Sequence, residues 1–248
     1  MAKAPRVLAV IPARGGSKRF PRKNVYPLRG HPLIAYTIKA AADATKLTDW
    51  LVSTDDAEIA ETAQSYGAPV PFIRPANLAG DKDRNNVVVR HAMEFMEAQT
   101  GQRYDILVLL QPTCPIRSAA HIDQAIDLLW ASPLDTLASV SGPIKKRDPN
   151  IKAIRNSELV PYNQSEDGSN WDAGYIYNAA IYAMKRDFFL REMSFVSQRS
   201  VPLMMDRFHS ADIDEKIDAL VAELYFDHLG LDPFGDRSDP ATARAHAS

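Results

Sequence analysis

Short runs of β-branched and leucine residues alternate with helix-period patterns along the N-terminal half of this chain, and that alternation is the signature of βαβ units feeding a parallel sheet. Strands are predicted at residues 7–11, 50–54, 105–110 and 136–140. Between them, residues 32–44 read as a helix with Pro32 at its first position, and residues 55–66 as one whose Asp55 and Glu58 resemble a capping box. Residues 87–99 place Val88, Ala92, Phe95 and Met96 on one face, and residues 122–130 do the same with Ile122, Ile126 and Leu129. The fold class that follows is α/β: a three-layer α/β/α arrangement around a mostly parallel, Rossmann-like sheet.

After Val140 the periodicity breaks. Pro143, the bases Lys145, Lys146 and Arg147, Pro149 and the polar stretch 162–170 replace it, which reads as an excursion over residues 140–182 from a main domain of 1–139 and 183–229. Residues 175–184 return to strand character. The last helix, from about Glu215, carries Ile217, Leu220, Val221 and Leu224 on one stripe, and residues 230–248 read as a loose tail. A chain of 248 residues with 46% hydrophobic content can bury a core of this size.

The chemistry begins where the first strand ends. Residues 11–24, IPARGGSKRFPRKN, join Ile11 to a loop holding Arg14, the pair Gly15-Gly16, Lys18, Arg19, Arg22 and Lys23. Paired glycines let backbone N–H groups approach an anion while the flanking bases neutralise it. The loop lacks the Walker spacing, which argues against an ordinary P-loop ATPase or kinase. No Asp or Glu precedes Asp43, yet nine Lys and Arg residues do, in a chain whose net charge is only −2. That local focus suits a small anionic ligand in a cleft better than a nucleic acid.

A second feature lies far along the chain, in Ser210-Ala211-Asp212-Ile213-Asp214. In extended backbone the two carboxylates point the same way and Ile213 turns inward. Paired oxygen ligands suit Mg²⁺; the competing role for Asp214 is capping of the helix that follows. The single cysteine, Cys114, excludes an internal disulfide framework, and the scattered histidines, His91 among them, lack zinc-type spacing. With no signal-peptide pattern and no membrane-length apolar run, the expected location is cytoplasmic, with no membrane partner.

From about Leu8 to Ala222 the chain resembles the cytidylyltransferases that activate nonulosonic acids, the CMP-sialic acid synthetase (N-acylneuraminate cytidylyltransferase) family. The likeness rests on ordered blocks: IPARGGSKRFPRKN (11–24), HPLIAYTIKAA (31–41), VSTDDAEIAETAQSYGA (52–68), FIRPANLAGD (72–81), LLQPTCPIR (109–117), YNAAIYAMKRDFF (177–189) and SADIDEKID (210–218). The resemblance implies that Arg14, Lys18 and Lys23 hold the CTP phosphates and, with Asp212, carry catalysis. It places Ala13, Gly15, Asn24, Arg74, Asn85 and Gln111 around the nucleotide, Gln111 and Asn178 at the sugar acid, and Mg²⁺ on Asp212 and Asp214. It also implies a homodimer joined through the excursion.

Departures fall where the sugar is chosen. Asn178-Ala179-Ala180 stands where the family has Asn-Gly-Ala, Asn85 replaces the usual Ser or Thr, no sugar-site arginine is evident in residues 161–170, and 171–174 (WDAG) resembles the pseudaminic acid enzymes. Lys152 is the candidate for the missing charge. The expected reaction is attack of the anomeric hydroxyl on the α-phosphorus of CTP with loss of pyrophosphate. Its rivals are a cytidylyltransferase for the shorter acid Kdo, a non-catalytic nucleotide-sugar sensor, and a glycosyltransferase with paired carboxylates around a metal.

Overall fold

In the first strand Val7, Leu8, Ala9, Val10 and Ile11 are all fully buried, so this strand is covered on both faces, as a central parallel strand requires. The computed structural model describes residues 4–17, 19–78, 85–144, 152–161 and 174–235. In chain order the elements are β1 (Val7–Ala13), a short hairpin of β2 (Pro27–Leu28) and β3 (His31–Pro32), α1 (Leu33–Asp43), β4 (Asp49–Thr54), α2 (Ala57–Ser65), α3 (Asn85–Thr100), β5 (Ile106–Leu109) and α4 (Ala119–Ala131). There follow β6 (Thr136–Ile144), β7 (Lys152–Arg155), β8 (Glu158–Pro161), β9 (Gly174–Lys185), α5 (Arg186–Glu192), β10 (Val201–Met204) and α6 (Lys216–Leu229).

The main sheet has the order β10-β6-β9-β5-β1-β4. β1 runs parallel to β4 and β5, and β10 parallel to β6; β9 alone is antiparallel to both its neighbours. Alternate residues of β1 feed different layers. Val7, Ala9 and Ile11 pack with Ile34 and Ile38 of α1, Ile59 of α2 and Ile122 and Ile126 of α4, whereas Leu8 and Val10 pack with Val89 and Met93 of α3 and Phe188 and Phe189 of α5. Three layers result, as the alternating pattern predicts. β6 and β9 run on beyond the sheet, and the β7–β8 hairpin joins β9 through Lys152 opposite Tyr175.

Several boundaries differ from the sequence expectation. Pro32 is not the first helical residue of α1: His31 and Pro32 pair with Leu28 and Pro27, which holds Pro32 extended (ψ 141°) and leaves it as the N-cap. The cap of α2 is Asp56, whose Oδ1 accepts from the Ile59 amide at 3.1 Å, because Asp55 is drawn away to Arg74. Asp214 does not cap α6 either; Glu215 is the N-cap and forms a capping box with Asp218.

The stripe on α6 also turns out differently. Ala219, Ala222 and Phe226 face the interior, while Ile217, Leu220, Val221 and Leu224 are 59%, 55%, 37% and 66% exposed. Nor does the chain become loose at Gly230. That glycine ends α6 in the left-handed conformation (φ 62°), and Phe234 stacks on His31 with ring centroids 3.8 Å apart. Only 236–248 of the expected tail lie outside the described residues. Among the described residues no helix is long and apolar enough to cross a membrane.

Candidate active site

β4 follows β1 on one side and β5 lies on the other, so the strand order reverses between β1 and β5, and the carboxyl ends of these two strands are where open α/β sheets bind ligands. The glycine loop leaves β1 at this edge and Gln111 leaves β5. Asn24 is buried and its Nδ2 donates to the Arg14 carbonyl at 3.1 Å, which closes the loop on itself. The two glycines have different duties. A Cβ on Gly15 would stand 2.4 Å from Asp56 Oδ2, whereas one on Gly16 would meet nothing within 4 Å. Gly15 therefore serves close approach of the loop to the start of α2, while its carbonyl accepts the Ser17 amide at 3.0 Å and closes a tight turn over Gly16.

The distant acidic segment meets this loop. Lys23 Nζ donates to the Ile213 carbonyl at 2.8 Å and to Asp214 Oδ1 at 3.0 Å, and Arg19 pairs with Asp214 Oδ2 at 3.2 Å. Ile213 is fully buried, and its amide donates to the Thr113 carbonyl at 2.9 Å, which fastens the segment to the loop after β5. Burial alone would raise the Asp214 carboxyl, but Lys23 and Arg19 outweigh it and hold the group below its usual range. Asp212 behaves oppositely. Surrounding protein limits its solvation and Asp214 repels it, so its carboxyl is raised even though Thr113 and Lys23 pull the other way. Its accessible surface nonetheless leaves it exposed. Cys114 lies 3.9 Å from Asp212 Oδ1, and burial lifts its thiol to about 12, so it stays neutral.

The far wall comes from β9. Ala138 of β6 faces Tyr182, but Val140 faces Tyr177, so residues 178–181 form a bulge between the two registers. Within it Ala179 takes φ 60°, which explains why glycine suits this place and why alanine here carries backbone strain. Asn178 is buried, accepts the Ala180 amide on Oδ1 at 3.2 Å and donates from Nδ2 to Ser210 Oγ at 2.8 Å. The bulge thus ties Asn178 to the acidic segment.

Arg74 is buried and structural partners hold it: Nη1 donates to the Ser53 carbonyl at 3.1 Å and Nη2 to Asp55 at 2.9 Å. Asn85 opens α3, which runs back against the strands, so its first turn lies at the same sheet edge as the loop. Lys152 is further away along β9, its Nζ 5.9 Å from the centre of the Tyr177 ring. Ala13 ends β1; Lys18 lies outside the described residues. Sequence reasoning counted Arg19 only among the bases facing an anion and gave no role to Thr113, Ser210 or Arg117, although all four stand inside blocks that were recognised. Their contacts are to backbone or to other site residues, for which the sequence carries no periodic signal.

The cytidylyltransferase family profile matches residues 8–227. This chain belongs to the cytidylyltransferase family. It is 34% identical over 228 residues to CMP-N,N'-diacetyllegionaminic acid synthase from Legionella pneumophila, covering 88% of this chain and 95% of that protein. It is 31% identical over 86% of its length to N-acylneuraminate cytidylyltransferase from Escherichia coli, of which it spans half, and 42% identical over 120 residues, 48% of the chain and 51% of the relative, to pseudaminic acid cytidylyltransferase from Campylobacter jejuni. The solved structure of CMP:2-keto-3-deoxy-manno-octonic acid synthetase in complex with CTP has the same fold (TM-score 0.64, 18% identity, covering 88% of this cytidylyltransferase and 99% of that chain).

Proposed function

We propose that this cytidylyltransferase transfers CMP from CTP to the anomeric hydroxyl of a nonulosonic acid, with release of pyrophosphate. The observation that carries the reading is the bond from Lys23 across to Ile213 and Asp214, which brings the basic loop and the acidic couplet together at the switch point of the sheet, opposite Asn178. The relatives named for diacetyllegionaminic, acylneuraminic and pseudaminic acids support the substrate class. The likeness to the octonic acid enzyme extends to fold alone, so the Kdo reading has no support of its own.

Positioning and charge neutralisation carry most of the barrier reduction in transfers at phosphorus. Arg14, Lys18 and Lys23 are assigned to the triphosphate, with Ala13, Gly15, Asn24, Arg74, Asn85 and Gln111 shaping the nucleotide side. Gln111, Asn178 and Lys152 are assigned to the sugar acid. Asp212 and Asp214 offer hard oxygen donors that fit Mg²⁺, an ion that takes one or two carboxylates and completes its shell with phosphate oxygens. Such an ion supplies charge neutralisation at the phosphates and acidifies an attacking hydroxyl.

A homodimer joined through the 140–182 excursion is part of the same reading. The exposed stripe Ile217, Leu220, Val221 and Leu224 adds an apolar face on α6, only three residues beyond Asp214, of the kind a second copy covers as well. The function is tested by coupled pyrophosphate release from CTP with Mg²⁺ and a panel of N-acetylneuraminic, legionaminic, pseudaminic and octulosonic acids. Turnover confined to the nine-carbon acids is expected; turnover of the octulosonic acid alone, or CTP binding with no pyrophosphate from any of them, refutes the proposal.

A further inference from the structure

The bulge in β9 leaves backbone groups that neither neighbouring strand can pair. Pairing with β5 ends at Tyr182 opposite Leu109, and the β6 ladder skips 178–181. Buried backbone groups need partners, and for five of those at 178–181 a side chain supplies one. Asn178 Oδ1 takes the Ala180 amide; Ser139 Oγ takes the Ile181 amide at 2.7 Å and donates to the Ile181 carbonyl at 3.0 Å; Cys114 Sγ lies 3.5 Å from the Asn178 carbonyl. The Ala180 carbonyl is met by Arg117 Nη1 at 2.7 Å.

Arg117 is only 2% exposed, and its hydrogen-bond partners are uncharged. The same Nη1 donates to the Gln111 carbonyl at 3.2 Å, and Nη2 donates to Thr37 Oγ1 at 2.6 Å; Thr37 Oγ1 in turn lies 3.4 Å from the Gln111 carbonyl. Nε is buried and has no hydrogen-bond partner. Burial pushes the guanidinium down to about 10, which still leaves it charged at neutral pH. A buried cation with an idle donor is a costly way to hold two carbonyls, and the desolvation it entails is not recovered in stability. Its geometric yield is specific, because a rigid fork holds the end of β5 and the crown of the β9 bulge at one separation.

We propose that Arg117 is a positioning residue that sets the distance between the nucleotide wall at Gln111 and the sugar wall at Asn178. It touches neither ligand. The inference rests on the assignment of those two walls given above, and it predicts that one substitution disturbs both substrates together, since both walls lose the same brace.

The test compares Arg117→Met, Arg117→Lys and Thr37→Val with the parent, and with Phe189→Leu, a buried change on the opposite layer that serves as a control for lost stability. CTP affinity is read by calorimetry and the two KM values by pyrophosphate release with whichever sugar acid the parent uses. Arg117→Met is expected to weaken CTP binding and raise both KM values about tenfold or more, since small misplacements cost that much. Arg117→Lys recovers part of the loss, Thr37→Val shows a smaller rise in both, and Phe189→Leu leaves all three near parental values. If Arg117→Met does not fold, Arg117→Lys and Thr37→Val decide the matter by the same criterion. Constants within about twofold of the parent in the folded variants, or a change in one substrate only, overturn the inference. A parent that turns over no sugar acid defeats the functional reading instead, and CTP calorimetry, which needs no turnover, still decides the role of Arg117 on the nucleotide side.

Discussion

Gly15→Ala is the most informative small change, because its consequence follows from three distances. The new methyl would lie 2.4 Å from Asp56 Oδ2 and 3.1 Å from both Cβ and Cγ of the same residue. Asp56 is not free to swing away: its Oδ1 caps α2 through the Ile59 amide, and its own amide donates to Thr54 Oγ1 at 3.1 Å. If Asp56 yields, the cap is lost at about 1 kcal/mol. If the loop yields instead, overpacking costs about 1–3 kcal/mol. Either route lowers the melting temperature by about 2–10 °C for a chain of this length. The second route also moves Arg14 and the entry to Lys23, so the KM for CTP should rise severalfold. Differential scanning calorimetry and pyrophosphate kinetics read the two effects. Gly16→Ala is the internal control, since nothing lies within 4 Å of its added methyl and no loss of stability is expected. Asp56→Ser placed in the Gly15→Ala background removes the atom nearest the methyl, keeps a capping hydroxyl and should restore most of the loss. A Gly15→Ala protein with parental melting temperature and parental KM would refute the claim that the loop is seated against α2 in this way.

Asp212→Asn should reduce pyrophosphate release by about a hundredfold or more, as loss of a key charge at a phosphoryl centre does, with no loss of melting temperature; near-normal kinetics would remove Asp212 from the mechanism. Lys23→Met should lower both turnover and stability, the latter by about 1–2 kcal/mol, since Lys23 is mostly buried and holds both the Ile213 carbonyl and Asp214; an unchanged urea midpoint would contradict this. Burial favours a neutral Glu97, but the paired bonds from Arg186 and the Tyr104 amide prevail and lower its carboxyl below the usual value. That contribution is present above the ordinary glutamate pKa of about 4.3 and lost as pH falls through the depressed folded value. Melting curves of Glu97→Gln and parent should therefore differ at pH 6–7, by about 1–3 kcal/mol, and draw together as pH falls below the ordinary glutamate range; a constant difference would mean that charge is not the cause. Paired Leu220→Lys and Leu224→Lys changes on α6 should convert a dimer to monomer by light scattering; a parent that is already monomeric overturns the dimer reading.

Much of the fold was legible because its signals are periodic. Fully apolar runs such as 7–11 announce strands covered on both faces, and the spacing of Ile122, Ile126 and Leu129 matches the observed inner face of α4. The failures are local contests between neighbours. Asp55 and Asp56 are chemically alike, and which one caps α2 depends on Arg74, nineteen residues away in sequence from Asp55. The stripe on α6 is equally apolar in sequence whether it faces its own core or something else, and here the smaller residues Ala219 and Ala222, with Phe226, won the interior. At the site, the basic loop and the acidic pair were readable as chemistry, and their meeting through Lys23 is now visible as geometry. The bulge of β9 was not readable, since 175–184 contain no glycine or proline to mark it; only the substitution of Ala179 at a place where the family keeps glycine hinted that the backbone is unusual there.

Strand β9 has a consequence for how such an enzyme can diversify. One end of it, at Lys185 and Met184, is locked between β5 and β6, while the other, at Tyr175, lies between the far end of β6 and the β7–β8 hairpin. Asn178 sits at the joint. On the proposed assignment of Asn178 to the sugar acid, the hairpin is the part of the sheet through which the choice of sugar can change without disturbing the β1–β5 half that carries the basic loop.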